Sequence, residues 1–241
     1  MGVKRASAIA SFADLRGKTI GVLGFGLAAY PVAQGLVRLV GLDPEKDMTW
    51  KETGEGAGSG RALERGEIDA LFFDHMGFGQ IEAAGIAVDY LPWPPKTPMI
   101  GGNFISAAPE FLHSHRKTAV GFARAILKGV IFTLENPEAA ASILIRMFPH
   151  LAPEAKTVRE KVKTVMVPVT SVIKDYVPYD LSTHWGFMQD AEWRDEIAFR
   201  GLQEKLPDPT VFYTNDLVEE ANAFDFAAIR AEARAFKVSY D

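Results

Sequence analysis

Between Ser11 and about Val88, short apolar runs alternate with amphipathic stretches, the pattern of strands separated by helices. Lys18 to Leu23 is a β-rich run, and Gly24-Phe25-Gly26 breaks it. Ala28 to Val40 has helical spacing, with Pro31 in the first turn, where its missing N–H costs nothing, and Gly41 as the C-cap. Met48 to Thr53 predicts a second strand, which runs into the glycine-rich segment Gly54 to Gly60. Arg61 to Arg65 predicts a short helix stopped by Gly66, and Ile68 to Phe73 predicts a buried strand. A helix over Phe78 to Ala84 and a strand over Val88 to Leu91 complete the series. Strands at this spacing, joined by helices, imply βαβ units and a mainly parallel α/β sheet.

Pro92-Trp-Pro-Pro-Lys-Thr-Pro98 interrupts the alternation and marks the best internal boundary. It divides the chain into residues 1–98, an α/β lobe, and residues 99–241, a mostly helical part of a second lobe. The second part opens on a strand candidate, Asn103 to Ala107. Helices follow over Pro109 to His115, Lys117 to Leu134, Asn136 to about Met147, Glu154 to Val165, Trp193 to Leu206 and, with breaks, Leu217 to Phe236. Val120, Ala123, Leu127, Val130, Ile131 and Leu134 share one face of the longest. Val167 to Val172 is a second strand candidate. Isolated strands leave unpaired edges, so this lobe reads as incomplete, with partner strands outside the sequence.

Composition narrows the function. Of 241 residues, 48% are hydrophobic and 24% charged, an ordinary globular balance. The net charge of −5 provides no clustered Lys/Arg surface for nucleic acid. The densest basic run, Arg159 to Lys163, alternates with Glu160 and valine and reads as a solvated helix face. No long apolar run predicts insertion into a membrane. The absence of cysteine excludes disulfides, thiolate metal sites and a Cys nucleophile. At the N-terminus, Lys4 and Arg5 precede a stretch too short and too polar for a signal-peptide core.

Four segments carry a family resemblance. They are Phe12-Ala-Asp-Leu-Arg-Gly-Lys-Thr-Ile-Gly-Val22, Leu63-Glu-Arg-Gly-Glu-Ile-Asp-Ala70, Arg124 to Gly129 leading to Glu135-Asn-Pro-Glu-Ala139, and Tyr213 to Leu217 with Asn222-Ala-Phe-Asp225. Taken in order, they resemble the NitT/TauT group of periplasmic solute-binding proteins, which includes alkanesulfonate-binding proteins and relatives of the thiamine-pyrimidine synthases. The resemblance implies a type II periplasmic-binding-protein-like fold of two lobes, in which residues 1–98 are the family's complete lobe two and residues 99–241 the C-terminal part of its lobe one, whose N-terminal part is lacking. It implies a monomeric, non-enzymatic component of an ABC importer, without cofactor or metal. Such a component traps a small organic solute (a sulfonate, an organic acid or a pyrimidine) between its lobes and hands it to a membrane permease. It also implies a periplasmic location, which the sequence itself does not encode in a signal peptide.

Candidate ligand residues follow the predicted strand ends. Gly24, Phe25, Gly26, Leu27 and Ala28 lie where a strand meets a helix N-terminus, and their amides and the helix dipole favour an anion. Leu27, Ala28 and Ala29 stand where many relatives place a hydroxyl donor, and the glycines have an alternative role as a simple tight turn. Tyr30, one turn in, is an aromatic wall or a core residue. Gly54 and Glu55 end the next strand, either at the site or as a flexible loop. Asp74 and His75 follow the third, where α/β sheets hold ligands, although Asp74 also suits a helix cap. Asn103 is a ligand amide or a local backbone brace. Trp93 and Trp185 are further stacking candidates.

Two enzyme readings compete. Gly24-x-Gly26-x-x-Ala29 approaches a dinucleotide fingerprint, with Glu52 placed for a ribose. A thiamine-pyrimidine-synthesis enzyme would need histidine chemistry. His75, His113, His115, His150 and His184 are scattered, and the close pair, two residues apart, does not share a helix face. Gly58-Ser59-Gly60 lacks the nucleophile-elbow pattern of a serine hydrolase.

Overall fold

Residues 2–90 build an open five-stranded sheet in the order β3-β2-β4-β1-β5. Its strands are β1 (Gly2–Lys4), β2 (Thr19–Val22), β3 (Thr49–Glu52), β4 (Ala70–Phe72) and β5 (Val88–Tyr90). The computed structural model describes residues 1–173, 176–178 and 184–240. β2 runs parallel to both β3 and β4, whereas β1 is antiparallel to β4 and β5. The sheet is therefore mainly parallel, with one reversed strand inside it. That strand, β1, went unread in the sequence because three residues carry no usable period.

The parallel register decides which side chains share a face. Ile20 lies opposite Trp50 and Ala70, and Val22 opposite Glu52 and Phe72, so all six point one way. Helix α1 (Ala29–Leu39) covers this face, with Val32, Ala33, Leu36 and Val37 buried. The other face carries Leu71 beneath α2 (Ala57–Glu64) and α3 (His75–Ala83). There Leu63, Ile68, Leu71, Phe78 and Ile81 form one apolar cluster. Each such burial contributes about 1.5–3 kcal/mol.

The helices stop where glycine permits. After α1, Gly41 has φ 78°, its N–H donates to Arg38 C=O, and Leu42 N–H reaches back to Val37 C=O. Gly66 ends α2 in the same way, with φ 73° and the bonds Gly66 N–H to Leu63 and Glu67 N–H to Ala62. Both are Schellman caps, which require the left-handed conformation that glycine adopts without strain.

The chain divides into two compact units. The first comprises Met1–Met99 together with Asp195–Lys205, and the second Ile100–Arg194 with Leu206–Asp241. In the first, Gly35 of α1 faces the ring of Phe199, so a side chain there would collide with it. Among its described residues the second unit is helical. It contains α4 (Pro109–Ser114), α5 (Arg116–Glu135), α6 (Pro137–Met147), α7 (Val158–Ile173), the first half of α8 (Asp190–Phe199), α9 (Val218–Asn222) and α10 (Phe226–Ala235). Ala141, Ile145 and Val162 form the core between α6 and α7. Asn136 caps α6 by accepting from Ala139 N–H at 3.0 Å, and its Nδ2 donates to Ala233 C=O of α10 at 2.8 Å.

Three local expectations are corrected. Val167 to Val172 is not a strand: α7 runs through Pro168, because Val158, Val162, Val165 and Met166 keep helical spacing against α6. Asn103 to Ala107 has no regular secondary structure and belongs to no sheet. Its residues are held by side chains instead, Asn103 Nδ2 donating to the Tyr176 hydroxyl at 3.0 Å and Phe104 packing on Trp193 at 5.1 Å. The glycine-rich segment is a loop only as far as Gly56. From Ala57 it is helix, with Gly60 tight against Ile81 and Ile86.

Candidate functional site

Because β2, β3 and β4 are adjacent, parallel and in register, the segments leaving them emerge at one edge of the sheet. Val22, Glu52 and Phe72 end these strands side by side. The chain leaving β2 enters α1 on one face, and the chain leaving β4 enters α3 on the other. In open α/β sheets, ligands bind where chains diverge in this way at the carboxyl ends of the strands. Gly24 to Ala28, Gly54 with Glu55, and Asp74 with His75 all lie on this edge of the first unit. Asn103 belongs to the second unit, where its amide bonds Tyr176.

The β2–α1 segment is a tight turn, with Leu27 N–H donating to Gly24 C=O and Tyr30 N–H to Leu27 C=O. Ala28 offers α1 no side-chain cap. The Phe25 N–H, one of the amides the sequence reading assigned to an anion, donates instead to Glu52 Oε1 at 2.6 Å. An amide in the turn before α1 is thus already taken by a carboxylate of the chain itself. Phe25 is 46% exposed and lies 5.0 Å from Tyr30, whose ring meets Trp50 edge-on at 5.2 Å. Trp50 is fixed in turn by its Nε1–H, which donates to Pro44 C=O at 2.6 Å.

The other two segments are braced from below. Thr53 N–H and hydroxyl both donate to Val22 C=O, at 2.9 and 3.2 Å, locking the end of β3 onto β2. The buried Ser59 hydroxyl donates to Gly54 C=O at 2.8 Å and holds the loop onto α2. That is a structural role, in line with the missing hydrolase pattern. Asp74 caps α3, its Oδ1 accepting from Gly77 N–H at 2.7 Å. Glu55, Asp74 and His75 are exposed.

Two residues here had little prominence in the sequence. The sequence suggests only a ribose-acceptor role for Glu52 and none for Trp50. The usable signal was their i, i+2 spacing at the end of a strand, which puts both on the α1 face. Trp93 is 52% exposed. Trp185 packs on Phe226 at 6.3 Å, and its backbone is clamped by Asn222, which accepts from Trp185 N–H at 3.1 Å and donates to Trp185 C=O at 3.0 Å. Asn215 clamps Met188 in the same two-sided way, at 2.9 and 2.8 Å. The C-terminal segment that carried the family resemblance therefore pins residues 185–188 in place.

No helix among the described residues is long and apolar enough to cross a membrane. A comparison with curated proteins finds no match. Among solved structures, the chain is similar to the periplasmic aliphatic sulphonate binding protein SsuA from Escherichia coli, at 18% identity and a TM-score of 0.47, covering 92% of this chain and 64% of that one. It is also similar to the alkanesulfonate-binding protein SsuA from Xanthomonas axonopodis pv. citri bound to MOPS, at 18% identity and a TM-score of 0.47, covering 91% of this chain and 67% of that one. The chain thus spans about two thirds of the length of either. Residues 1–140 match the family model described as NMT1/THI5 like. With more than half of its length under that match, the chain belongs to the NMT1/THI5-like family.

Proposed function

We propose that this chain is the solute-binding component of an ABC importer, capturing a small organic solute without transforming it. One observation carries the reading: three adjacent parallel strands end in register, and the segments leaving them present backbone amides, carboxylates and an exposed aromatic ring at one edge. Family membership supports it. In this reading the protein works as a periplasmic monomer and passes its cargo to a membrane permease, which responds to the liganded form through a population shift. Neither a cofactor nor a metal takes part. The flat or apolar part of the solute lies against Phe25 and Tyr30, and Gly54, Glu55, Asp74 and His75 meet its polar groups.

The dinucleotide-binding alternative is disfavoured by Glu52, whose carboxylate lies at the Phe25 amide where a pyrophosphate would have to sit. Calorimetric titration with taurine, alkanesulfonates, aromatic carboxylates, aminopyrimidines and NAD(H) tests the proposal. Binding of one organic class in the micromolar range, about −8 kcal/mol, with a negative heat-capacity change is expected. Tight binding of NAD(H), or chemical conversion of any bound solute, would overturn it.

A further inference from the structure

We propose that Glu52 sets the sign of the charge this edge accepts, turning it from an oxyanion site into one for the cationic or N–H-bearing end of an organic solute. The inference rests on the reading of this edge as a binding site and narrows its ligand class. Its starting point is the 2.6 Å bond from Phe25 N–H to Glu52 Oε1. A small oxyanion seeking the Phe25 amide in this turn would have to displace this carboxylate and then sit beside it, and like charges at such distances repel. The turn adds no compensating cation, since residues 23–30 contain neither Lys nor Arg. Lys51, the basic residue next to Glu52, points to the opposite face of β3, where it pairs with Glu67 at 3.5 Å.

The aromatic residues point the same way. Phe25, Tyr30 and Trp50 follow one another at 5.0 and 5.2 Å around the side of the sheet that carries Glu52. Their rings are tilted or edge-on to each other rather than stacked, at 56° and 82°, so they form walls instead of a closed stack. Aromatic faces beside a carboxylate attract ammonium groups and cationic heterocycles through the ring quadrupole and the charge together. Glu52 is held for this role by its bond to the turn, and it keeps a second carboxylate oxygen for a ligand.

The test is a pair of titrations of the full chain followed at the Phe25 amide by NMR, at constant ionic strength. The probes are benzyltrimethylammonium and methanesulfonate, applied to the wild type, to Glu52→Gln and to Glu52→Ala. In the wild type the amide should shift with the ammonium probe and stay still with methanesulfonate. Both variants should weaken the ammonium response at least about tenfold, the loss expected for a charge-assisted contact. Glu52→Ala, which frees the amide, should gain a methanesulfonate response. The near-isosteric Glu52→Gln guards against loss of folding as an explanation. A methanesulfonate response in the wild type as strong as in Glu52→Ala overturns the inference and leaves the edge as a binding site. An unchanged ammonium response in Glu52→Gln overturns it too. Silence of the edge to both probes in all three proteins removes the binding reading along with it.

Discussion

Replacing Asp74 by alanine separates the two roles the structure allows this residue. Its Oδ1 accepts from Gly77 N–H at 2.7 Å and satisfies one of the free donors at the start of α3. Loss of an N-cap costs about 1 kcal/mol, within a range of roughly 0.5–2. α3 supplies Phe78 and Ile81 to the apolar cluster over β4, so fraying of its first turn is transmitted to the core of the first unit. At an m-value of about 2 kcal/mol/M, a 1 kcal/mol loss lowers the urea midpoint by about 0.5 M with m unchanged. Asparagine caps helices as well as aspartate, so Asp74→Asn should restore the midpoint. Urea unfolding followed by circular dichroism reads both variants. A midpoint unchanged in Asp74→Ala, or equally lowered in Asp74→Asn, would refute the capping argument. If Asp74→Asn is fully stable yet loses solute affinity, its carboxylate serves the ligand as well as the helix.

Other substitutions test the packing and the electrostatics. A Cβ on Gly60 would lie 2.7 Å from Ile81 Cγ2 and 3.0 Å from Ile86 Cδ1. Overpacking of about 1–3 kcal/mol should therefore exceed the gain of about 1 kcal/mol in helix propensity, and Gly60→Ala should lower the urea midpoint. Asn222→Ala removes the clamp on both backbone groups of Trp185 and a further bond to Val218 C=O at 2.7 Å, so it should destabilise by about 1–3 kcal/mol and change Trp185 fluorescence. Three exposed carboxylates are held below their usual range: Asp14 chiefly by the Ala10 backbone N–H, Glu160 by the Thr157 backbone N–H and Asp208 by the Thr210 hydroxyl. Their stabilisation is complete above the unfolded carboxylate range and disappears as pH falls through their lower folded values. Below about pH 4 these three groups should accordingly make the urea midpoint decline. The decline should be shallower in Asp14→Asn.

Much of the first unit could be read from residue order because its strands and helices carry clear periods and glycine stops. Gly41 and Gly66 mark helix ends as expected, and Val22, Glu52 and Phe72 end strands near the positions their patterns suggested. β1 escaped notice because its place is fixed by long-range pairing with β4 and β5 rather than by local pattern. The β-branched run after Val165 looked like a strand, yet packing on α6 holds it helical through Pro168. At the candidate site, strand ends were legible but side-chain partners were not. Glu52 and Phe25 are 27 positions apart, and only the parallel register brings the carboxylate to the amide. Asp74 was recognised as suited to both a cap and a ligand, and the structure realises the cap.

In the proposed function, the carboxyl edge of the first unit's sheet holds the solute. Hydrogen–deuterium exchange of the full chain, with and without the solute found by calorimetry, tests it most directly. Bound solute should slow exchange in peptides covering Gly24 to Tyr30, Thr53 to Ala57 and Asp74 to Phe78. Protection confined to other regions, with these three segments unchanged, would contradict the claim.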